Sequence, residues 1–401
     1  MKDAIKIFFK GDVDDSEETL IKYSRDASLL EVRPKMVLFP KDKEDVKRIV
    51  KWVSENKDKY ADPERNKDYA NLSITARCAG TDMSGGAIGE SIILDFSRYM
   101  NKLIEFNASQ ELKITVQPGM FYRDFEKITL DKGLILPCYT ASKSLNAMGG
   151  MFGNNSAGER TLKYGKIEDY ILSAKVVFAD GNEYVVKPLT QDEVNKKIAQ
   201  NNFEGEVYRN TFNLIKNNEE EIKHAKPKVH KNSAGYYIWN VLRTSEGDFG
   251  AFALGDKRTG NPRRIKSPSE VLNFDLNKLL VGSQGTLGIV TEITFKLIPD
   301  NKYSKLVAIF MNDLAPLGRL VDEILQLNPE TLETYDDKTM KLAVRFFPDF
   351  LKNKGFVGMI KFMMSFWPEF FMMLTGGFPK LILLAEFAGD NEIEVNKQCV
   401  N

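Results

Sequence analysis

Apolar and polar positions along the chain fall into short alternating runs separated by helical stripes. Residues 1–31 predict one short helix, with Asp14, Asp15 and Ser16 as cap candidates ahead of Leu20, Ile21 and Tyr23. Met36 to Phe39 is an apolar run of strand length, and a helix follows it. Asp42 stands at that helix's N-cap, and Val46, Ile49, Val50 and Val53 repeat at i, i+3, i+4 and i+7, with lysines and glutamates on the other face. Residues 56–71 are polar and predict a surface loop. Leu72 to Cys78 and Ser91 to Asp95 read as strands joined by a hairpin-type loop or by a ligand-binding turn. Leu112, Ile114 and Val116 alternate, and a helix from Phe121 to Lys132 stops at Gly133. Ile171 to Val186 predicts a hairpin turning at Asp180-Gly181-Asn182. A helix is expected over 190–218, and Ile289, Thr291, Ile293, Phe295 and Leu297 share one face of a strand that runs to Pro299. From Ser304 a strand near Leu306 to Phe310, a helix near Ala315 to Gln326 and a strand from Leu381 to Phe387 follow. This order predicts an α+β fold with mixed sheets rather than a doubly wound one.

Composition narrows the function classes. Lys+Arg and Asp+Glu balance at 56 each, so no net charge points to nucleic acid or to an anionic membrane. Cys78, Cys138 and Cys399 lie far apart with no CxxC spacing, which argues against a disulfide framework, a zinc site or an iron–sulfur cluster and predicts no metal. The thiols suit a reducing cytoplasm, and the N-terminal apolar run is too short for a signal peptide. His224 and His230 are the only histidines, so a His-based triad or a multi-histidine metal site is hard to build here. The Phe/Met-rich stretch Val357 to Phe378 is broken by Lys361, Pro368, Glu369 and glycines, short of the roughly 18–20 apolar residues of a membrane span. It reads either as a buried helix pair, the reading favoured because exposed apolar patches are uncommon, or as a lipid-facing patch in peripheral contact with the inner face of a membrane.

Three stretches carry candidate chemistry. Met148 to Gly165 holds five glycines in eighteen residues, with paired asparagines between them, a backbone that either forms ordinary turns or wraps a ligand. Ala79 to Gly86 (Ala-Gly-Thr-Asp-Met-Ser-Gly-Gly) lies between two strands, where a dinucleotide or P-loop phosphate site requires a helix, and neither GxGxxG nor GxxxxGK[ST] is present. Successive N–H groups of such a turn, with the Thr81 and Ser84 hydroxyls, can instead form an anion-binding nest for a pyrophosphate. Leu279 to Gly288 places Gly-Ser-Gln-Gly before a regular strand, a third site of close backbone approach. Lys231, Tyr236 and Tyr237 lie together in a basic, aromatic segment, where they either bind a carboxylate or form a basic loop over buried aromatics. The four basic residues between Arg258 and Pro268 read as a solvated charge run.

In this order and spacing, Arg77 to Gly86, Pro118-Gly119, Pro137 through Gly165, Ala179 to Gly181 and Gly282 to Glu292 resemble the flavin-binding domain of the vanillyl-alcohol oxidase and p-cresol methylhydroxylase (PCMH-type) family. Within it the likeness is to the FAD-linked 2-hydroxy-acid dehydrogenases: the FAD subunit of glycolate oxidase, D-lactate dehydrogenase and D-2-hydroxyglutarate dehydrogenase. The resemblance implies a two-subdomain FAD-binding domain over residues 32–302, with a less regular insert at about 187–280. It implies an N-terminal segment at 1–31 and, at 303–401, the start of an α+β substrate domain. By that resemblance Gly80, Thr81, Asp82, Met83 and Ser84 hold the FAD pyrophosphate. Gly149, Gly150, Gly153, Asn154, Gly158 and Gly165 line the adenine–ribityl channel, and Gly282, Gln284 and Gly285 complete it. Asp82 stands where the family often has serine, and Gln284 where it often has glutamate.

The same resemblance implies non-covalent FAD, since Thr81 occupies the place of the histidine that carries flavin in some relatives and no histidine precedes His224. Cys138 is expected to be a buried thiol rather than a thioether link. The implied reaction is hydride transfer from the Cα of a small 2-hydroxy acid to flavin N5, giving a 2-oxo acid, with electrons passed to a quinone, a flavoprotein or an iron–sulfur protein. Relatives supply the base and metal ligands from a histidine-rich motif (His-x-x-Gly-Asp-Gly-Asn-x-His) in the C-terminal domain. That motif is not in these residues, so the chain is expected to be a truncated form. A non-catalytic FAD-binding subunit or fragment, or a sugar-derivative oxidase or reductase on the same flavin domain, are the alternatives.

Overall fold

The computed structural model describes residues 1–57, 59–60, 72–229, 232, 235–243, 273–352 and 379–400, with backbone alone at 347–352. Most of the polar stretch 56–71, His230, Lys231, the basic run at 258–268 and the Phe/Met-rich stretch at 357–378 lie outside these residues. The chain divides into two compact units, Met1–Gly158 with Tyr164–Asp300, and Glu159–Lys163 with Asn301–Asn401.

The first unit contains two principal sheets. One has the order β1-β2-β4-β3, from Asp12–Asp14, Met36–Phe39, Ile74–Arg77 (β3) and Ile92–Asp95 (β4). β2, β4 and β3 run parallel, with β1 antiparallel on the edge. Every residue of β2 and β4 is buried because both faces are covered. Met36, Leu38, Ile92 and Leu94 pack with Val46 and Ile49 of the helix Lys43–Asn56. On the other face Val37, Phe39 and Ile93 pack with Leu20 and Tyr23 of the helix Glu17–Tyr23. The stretch between β3 and β4 is therefore not a hairpin loop. Parallel strands need a crossover of a dozen or more residues, and residues 78–91 make it without a helix.

The second sheet is antiparallel, with the order β5-β6-β12-β8-β9: Leu103–Asn107 (β5), Lys113–Val116 (β6), Ile171–Val177 (β8), Glu183–Val186 (β9) and Ile289–Lys296 (β12). Along β12 the expected alternation holds, with Ile289, Thr291, Ile293 and Phe295 buried and the residues between them less so. Phe295 meets Phe125 of the helix Tyr122–Leu130 edge-on at 5.9 Å. Short pairs join β7 (Leu134–Ile135) to β13 (Ile298–Pro299) and β10 (Leu242–Arg243) to β11 (Asn273–Phe274).

Two helix expectations and one loop expectation need correction. Residues 1–31 form two helices, Lys2–Lys6 and Glu17–Tyr23, with β1 between them, because Asp12 to Asp14 pair with Phe39 to Val37. The stretch 190–218 breaks into Gln191–Ile198 and Phe203–Asn217, since the Asn202 side chain accepts from Gly205 N at 2.9 Å and starts a new helix. Within Cys138 to Gly165, residues Met148–Gly153 are helical, with Met148 and Met151 buried in the core.

In the second unit β14 (Tyr303–Met311), β15 (Thr331–Asp336) and β16 (Leu381–Gly389) form an antiparallel sheet of order β14-β16-β15. Leu383, Ala385 and Phe387 of β16 pack with Ile324 and Val395 of the helices Leu317–Gln326 and Glu392–Val400. Glu330 is fully buried, with Arg160 at 3.1 Å, Lys163 at 3.4 Å and Asn301 Nδ2 at 2.7 Å from its carboxylate. Buried carboxylates are tolerated only when paired and hydrogen-bonded in this way.

Two buried carboxylates anchor the first unit. Asp45, 0% exposed, accepts from Lys10 N, Gly11 N and Lys41 N at 2.8, 3.0 and 2.9 Å, fastening the N-terminal segment to the start of its helix. Glu168 is ion-paired with Lys166 at 3.0 Å and accepts from Asn240 Nδ2 at 3.0 Å, while the buried Lys278 donates to its main-chain carbonyl. Burial alone would raise the Glu168 carboxyl, but the charges of Lys278 and Lys166 hold it below its ordinary value.

Asp45→Ala strands three backbone donors in the core, so urea denaturation should show a loss of about 3 kcal/mol; a loss under about 0.5 kcal/mol would contradict the anchoring role. Glu168 contributes stability that is fully present above its ordinary pKa of 4.5 and is lost as pH falls through its lower folded value. Glu168→Gln should therefore cost about 3 kcal/mol at neutral pH and flatten the acid limb of the stability curve below pH 4.5. Parallel acid limbs in the two proteins would refute this assignment.

Candidate functional site

The three glycine-rich stretches, far apart in sequence, meet at one place in the first unit. β3 ends at Arg77 and delivers the turn Ala79–Gly86, where Gly80 and Gly85 take φ of +68° and +83°. The helix Met148–Gly153 is set against the chain leaving β6 by Met148 N donating to Met120 O (2.9 Å) and Gly149 N to Pro118 O (2.8 Å). The third stretch enters before β12, with Gly282 N donating to Phe152 O at 3.0 Å and Gln284 N to Gly153 O at 2.9 Å.

Gln284 ties the three together. Its backbone is left-handed, φ +53°, a strained setting for a residue with a side chain. Its amide nitrogen donates to Ser84 Oγ at 2.8 Å, in the first stretch, and lies 3.2 Å from Asn154 Oδ1, in the second. Asp82 closes the first turn from within, its carboxylate accepting from Gly86 N at 2.5 Å and from the Ser84 hydroxyl at 3.0 Å.

Between these walls lies a cleft open to solvent. Of the residues expected to contact cofactor, Gly80, Thr81, Asp82, Gly149, Gly150, Gly153, Asn154, Gln284 and Gly285 line it. Met83 is exposed, and Ser84 reaches the site through Gln284 rather than lining the cleft. Gly158, Gly165 and Gly282 are off its wall and serve packing. A Cβ at Gly158 would sit 1.8 Å from Tyr139 O, and one at Gly282 would meet the Tyr237 ring at 2.9 Å. At Gly150, by contrast, a Cβ would find nothing within 4 Å, so this glycine borders open space. A nucleotide cofactor fits such a cradle, in which backbone replaces side chains on two sides.

Of the carboxylate-binding candidates, Tyr237 is 1% exposed, with its hydroxyl donating to Asn232 O at 2.6 Å and Lys166 Nζ over its ring at 4.3 Å. It supports Gly282 from beneath instead of presenting its hydroxyl to solvent. Tyr236 is 47% exposed and shares a 2.8 Å hydrogen bond with Thr286 Oγ1, next to Gly285. Lys231 lies outside the described residues. Cys138 is fully buried in the core and does not line the cleft. The thiol on the wall is Cys78, which sequence reasoning passed over, with Sγ 3.3 Å from Pro118 O. Burial, and then the charge of Asp95, push it up to about 12. Arg77 also lines the cleft, and its position directly before a glycine turn was the available signal. Among the described residues no helix is long and apolar enough to cross a membrane.

Comparison with known proteins places these features. Residues 34–187 match the family described as FAD binding domain. The chain is 24% identical over 337 residues to D-2-hydroxyglutarate dehydrogenase of Pseudomonas putida, covering 84% of this chain and 30% of that protein. It is 25% identical over 331 residues to glycolate oxidase subunit GlcD of Bacillus subtilis, covering 82% of this chain and 51% of that one. The chain thus spans a third to a half of these relatives. A solved structure of alkyldihydroxyacetonephosphate synthase superposes with a TM-score of 0.61 at 18% identity, covering 99% of this chain and 57% of that one, and shows a common fold. Residues 34–187 are therefore an FAD-binding domain of the PCMH type, in a chain distantly homologous to D-2-hydroxyglutarate dehydrogenase and glycolate oxidase subunit GlcD.

Proposed function

We propose that the first unit binds FAD non-covalently in the cleft between its three glycine-rich walls, and that the protein is an FAD-dependent oxidoreductase converting a small 2-hydroxy acid to the 2-oxo acid. The observation that carries this reading is the convergence of the Gly80, Gly150 and Gly285 segments through Gln284, the first two of them inside residues 34–187, which match an FAD binding domain. The 2-hydroxy-acid substrate class rests on the named activities of the relatives, D-2-hydroxyglutarate dehydrogenase and glycolate oxidase subunit GlcD.

Bound FAD supplies the two-electron redox chemistry. The chain's own residues bind and orient. By this reading the Thr81 hydroxyl and the N–H groups from Gly80 to Gly85 hold a diphosphate, while Asp82, accepting from Gly86 N and the Ser84 hydroxyl, keeps that turn closed. Gly150 and Gly153 let the cofactor approach the backbone, and Phe96, Val176, Leu280 and Ile289 form an apolar wall that excludes water. Tyr236, beside Gly285 and Thr286, is the described candidate for the substrate carboxylate, with Lys231 as its sequence neighbour. Thr81 in place of a histidine, and a thiol at Cys78 pushed up to about 12, support the non-covalent mode.

A second reading, an FAD-holding chain that relies on another segment or subunit for its base, is favoured by one observation. Among the described residues on the cleft wall the ionisable groups are Arg77, Cys78 and Asp82, and the Asp82 carboxylate is engaged within its own turn. None is a ready acceptor for a hydroxyl proton near neutral pH. Under either reading electrons leave to a quinone, a flavoprotein or an iron–sulfur protein. A cytoplasmic setting, free or in peripheral contact with the inner membrane face, fits the three unpaired thiols.

The purified chain should show a flavin spectrum that bleaches without oxygen on addition of one or more D- or L-2-hydroxy acids, and acid precipitation should leave the flavin in the supernatant. A chain that takes up no flavin defeats the cofactor assignment. Flavin that no hydroxy acid bleaches selects the second reading. Gly150→Ala gives a finer check, since Ala is the better helix former and the new methyl group projects into the cleft. The ligand-free variant should be unchanged or more stable by up to about 1 kcal/mol, while its FAD affinity falls roughly tenfold. Equal affinity would place the cofactor elsewhere.

A further inference from the structure

Residues 1–33 precede the segment that matches an FAD binding domain, and the sequence by itself assigns them no chemistry. Yet they grip the first glycine turn at several points. Arg77 Nη2 donates to Arg25 O at 2.8 Å, and Nη1 donates to Ala87 O at 3.2 Å and more weakly to Tyr23 O at 3.5 Å. The guanidinium lies 5.0 Å from the centre of the Tyr23 ring. Ala27 N donates to Gly80 O at 3.1 Å, and Leu30 Cδ1 lies 2.7 Å from the point where a Cβ on Gly85 would sit. The segment is closed on itself by Val32 N donating to Ser24 O at 2.8 Å.

Arg77 is unusual in this setting. It lines the cleft and is half-buried, and among the described residues its hydrogen bonds go to main-chain carbonyls, with no carboxylate within salt-bridge distance. A cation held by three carbonyls is fixed in place, and the charges of Asp95 and Asp26 act on it without an ion pair. It joins the end of β3, the far side of the glycine turn at Ala87 and the N-terminal segment in a single planar fork, which a lysine could not reproduce. Beyond the packed helix Glu17–Tyr23 the segment exposes Leu29 and Leu30, and surface stretches with little buried apolar contact open locally at low cost.

We propose that residues Tyr23 to Val32 form a strap which, through Arg77, holds the turn Gly80–Gly86 in the shape that accepts a diphosphate, so that strap order and diphosphate binding are coupled. Arg77 is the positioning residue of this device. The proposal rests on the reading of the cleft as the FAD site and adds to it a part of the chain that lies outside the matched domain. Coupling of this kind is reciprocal: a ligand that favours the closed turn must also favour the ordered strap.

Hydrogen exchange on the full chain tests this, with FAD, ADP and riboflavin as probes. FAD and ADP, which carry a diphosphate, should slow exchange in the peptide spanning 24–32 by about tenfold, a coupling of ordinary size, and riboflavin should not. Arg77→Gln should weaken FAD binding by about tenfold and leave the strap exchanging at one rate with or without FAD, while FAD still protects the helix Met148–Gly153. Leu30→Ala, at an exposed position, should act in the same direction by a smaller factor. Strap exchange that is identical with and without FAD, in a chain that binds FAD, overturns the proposal, as does equal protection by riboflavin. These comparisons use the unaltered chain and stand even if Arg77→Gln does not fold. A chain that takes up neither FAD nor ADP defeats instead the reading of the cleft on which the proposal rests.

Discussion

The candidate site depends on a single side-chain amide. Gln284 occupies a left-handed backbone position that costs a non-glycine residue free energy, and it is kept there because its side chain and main chain together bond all three walls of the cleft. With Gly282 and Gly285 on either side also at positive φ, the chain reverses tightly before β12 and brings its backbone against Phe152 and Gly153. The result is a cleft in which the glycines and small residues of three turns face an apolar wall of Phe96, Val176, Leu280 and Ile289.

Behind the walls stand buried charges that are fully engaged. Asp45 takes three backbone donors, and Glu168 sits between Lys166 and Lys278 with Asn240 on its second oxygen. Neither group faces the cleft wall. They fasten the N-terminal segment in one case and the stretch around Tyr237 and Gly282 in the other. Tyr237 illustrates the division. Its polar end satisfies Asn232 while its ring supports the glycine that lets the third wall turn.

Much of the fold was legible because local patterns agreed with the tertiary result. Asp42 capped its helix as expected, accepting from Glu44 N and Asp45 N, and β12 kept its strict alternation because one face is core. The hairpin at Gly181 formed as its turn residues indicate. Failures came where a local reading met a non-local partner. β1 is three polar-edged residues that no periodicity reveals, and it is a strand only because β2 offers an edge. The segment 78–91 resembles a hairpin loop in sequence and is a parallel crossover because β4 inserts between β2 and β3. Met148–Gly153 carries three glycines and is helical because its methionines are drawn into the core.

The sequence by itself determined that three glycine-rich stretches exist, that histidine-based chemistry has almost no material to work with, and that the resemblance they carry points to flavin. These properties lie in residue types and their spacing. Which glycines border the cleft and which only pack, that Asp82 turns inward on its own loop, that Cys78 rather than Cys138 is the thiol on the wall, and that the N-terminal segment grips the first turn through Arg77 were decided by tertiary structure alone. Each depends on what a side chain meets across a long stretch of intervening sequence. A glycine that borders open space and one pressed against a carbonyl look the same until the chain has folded around them.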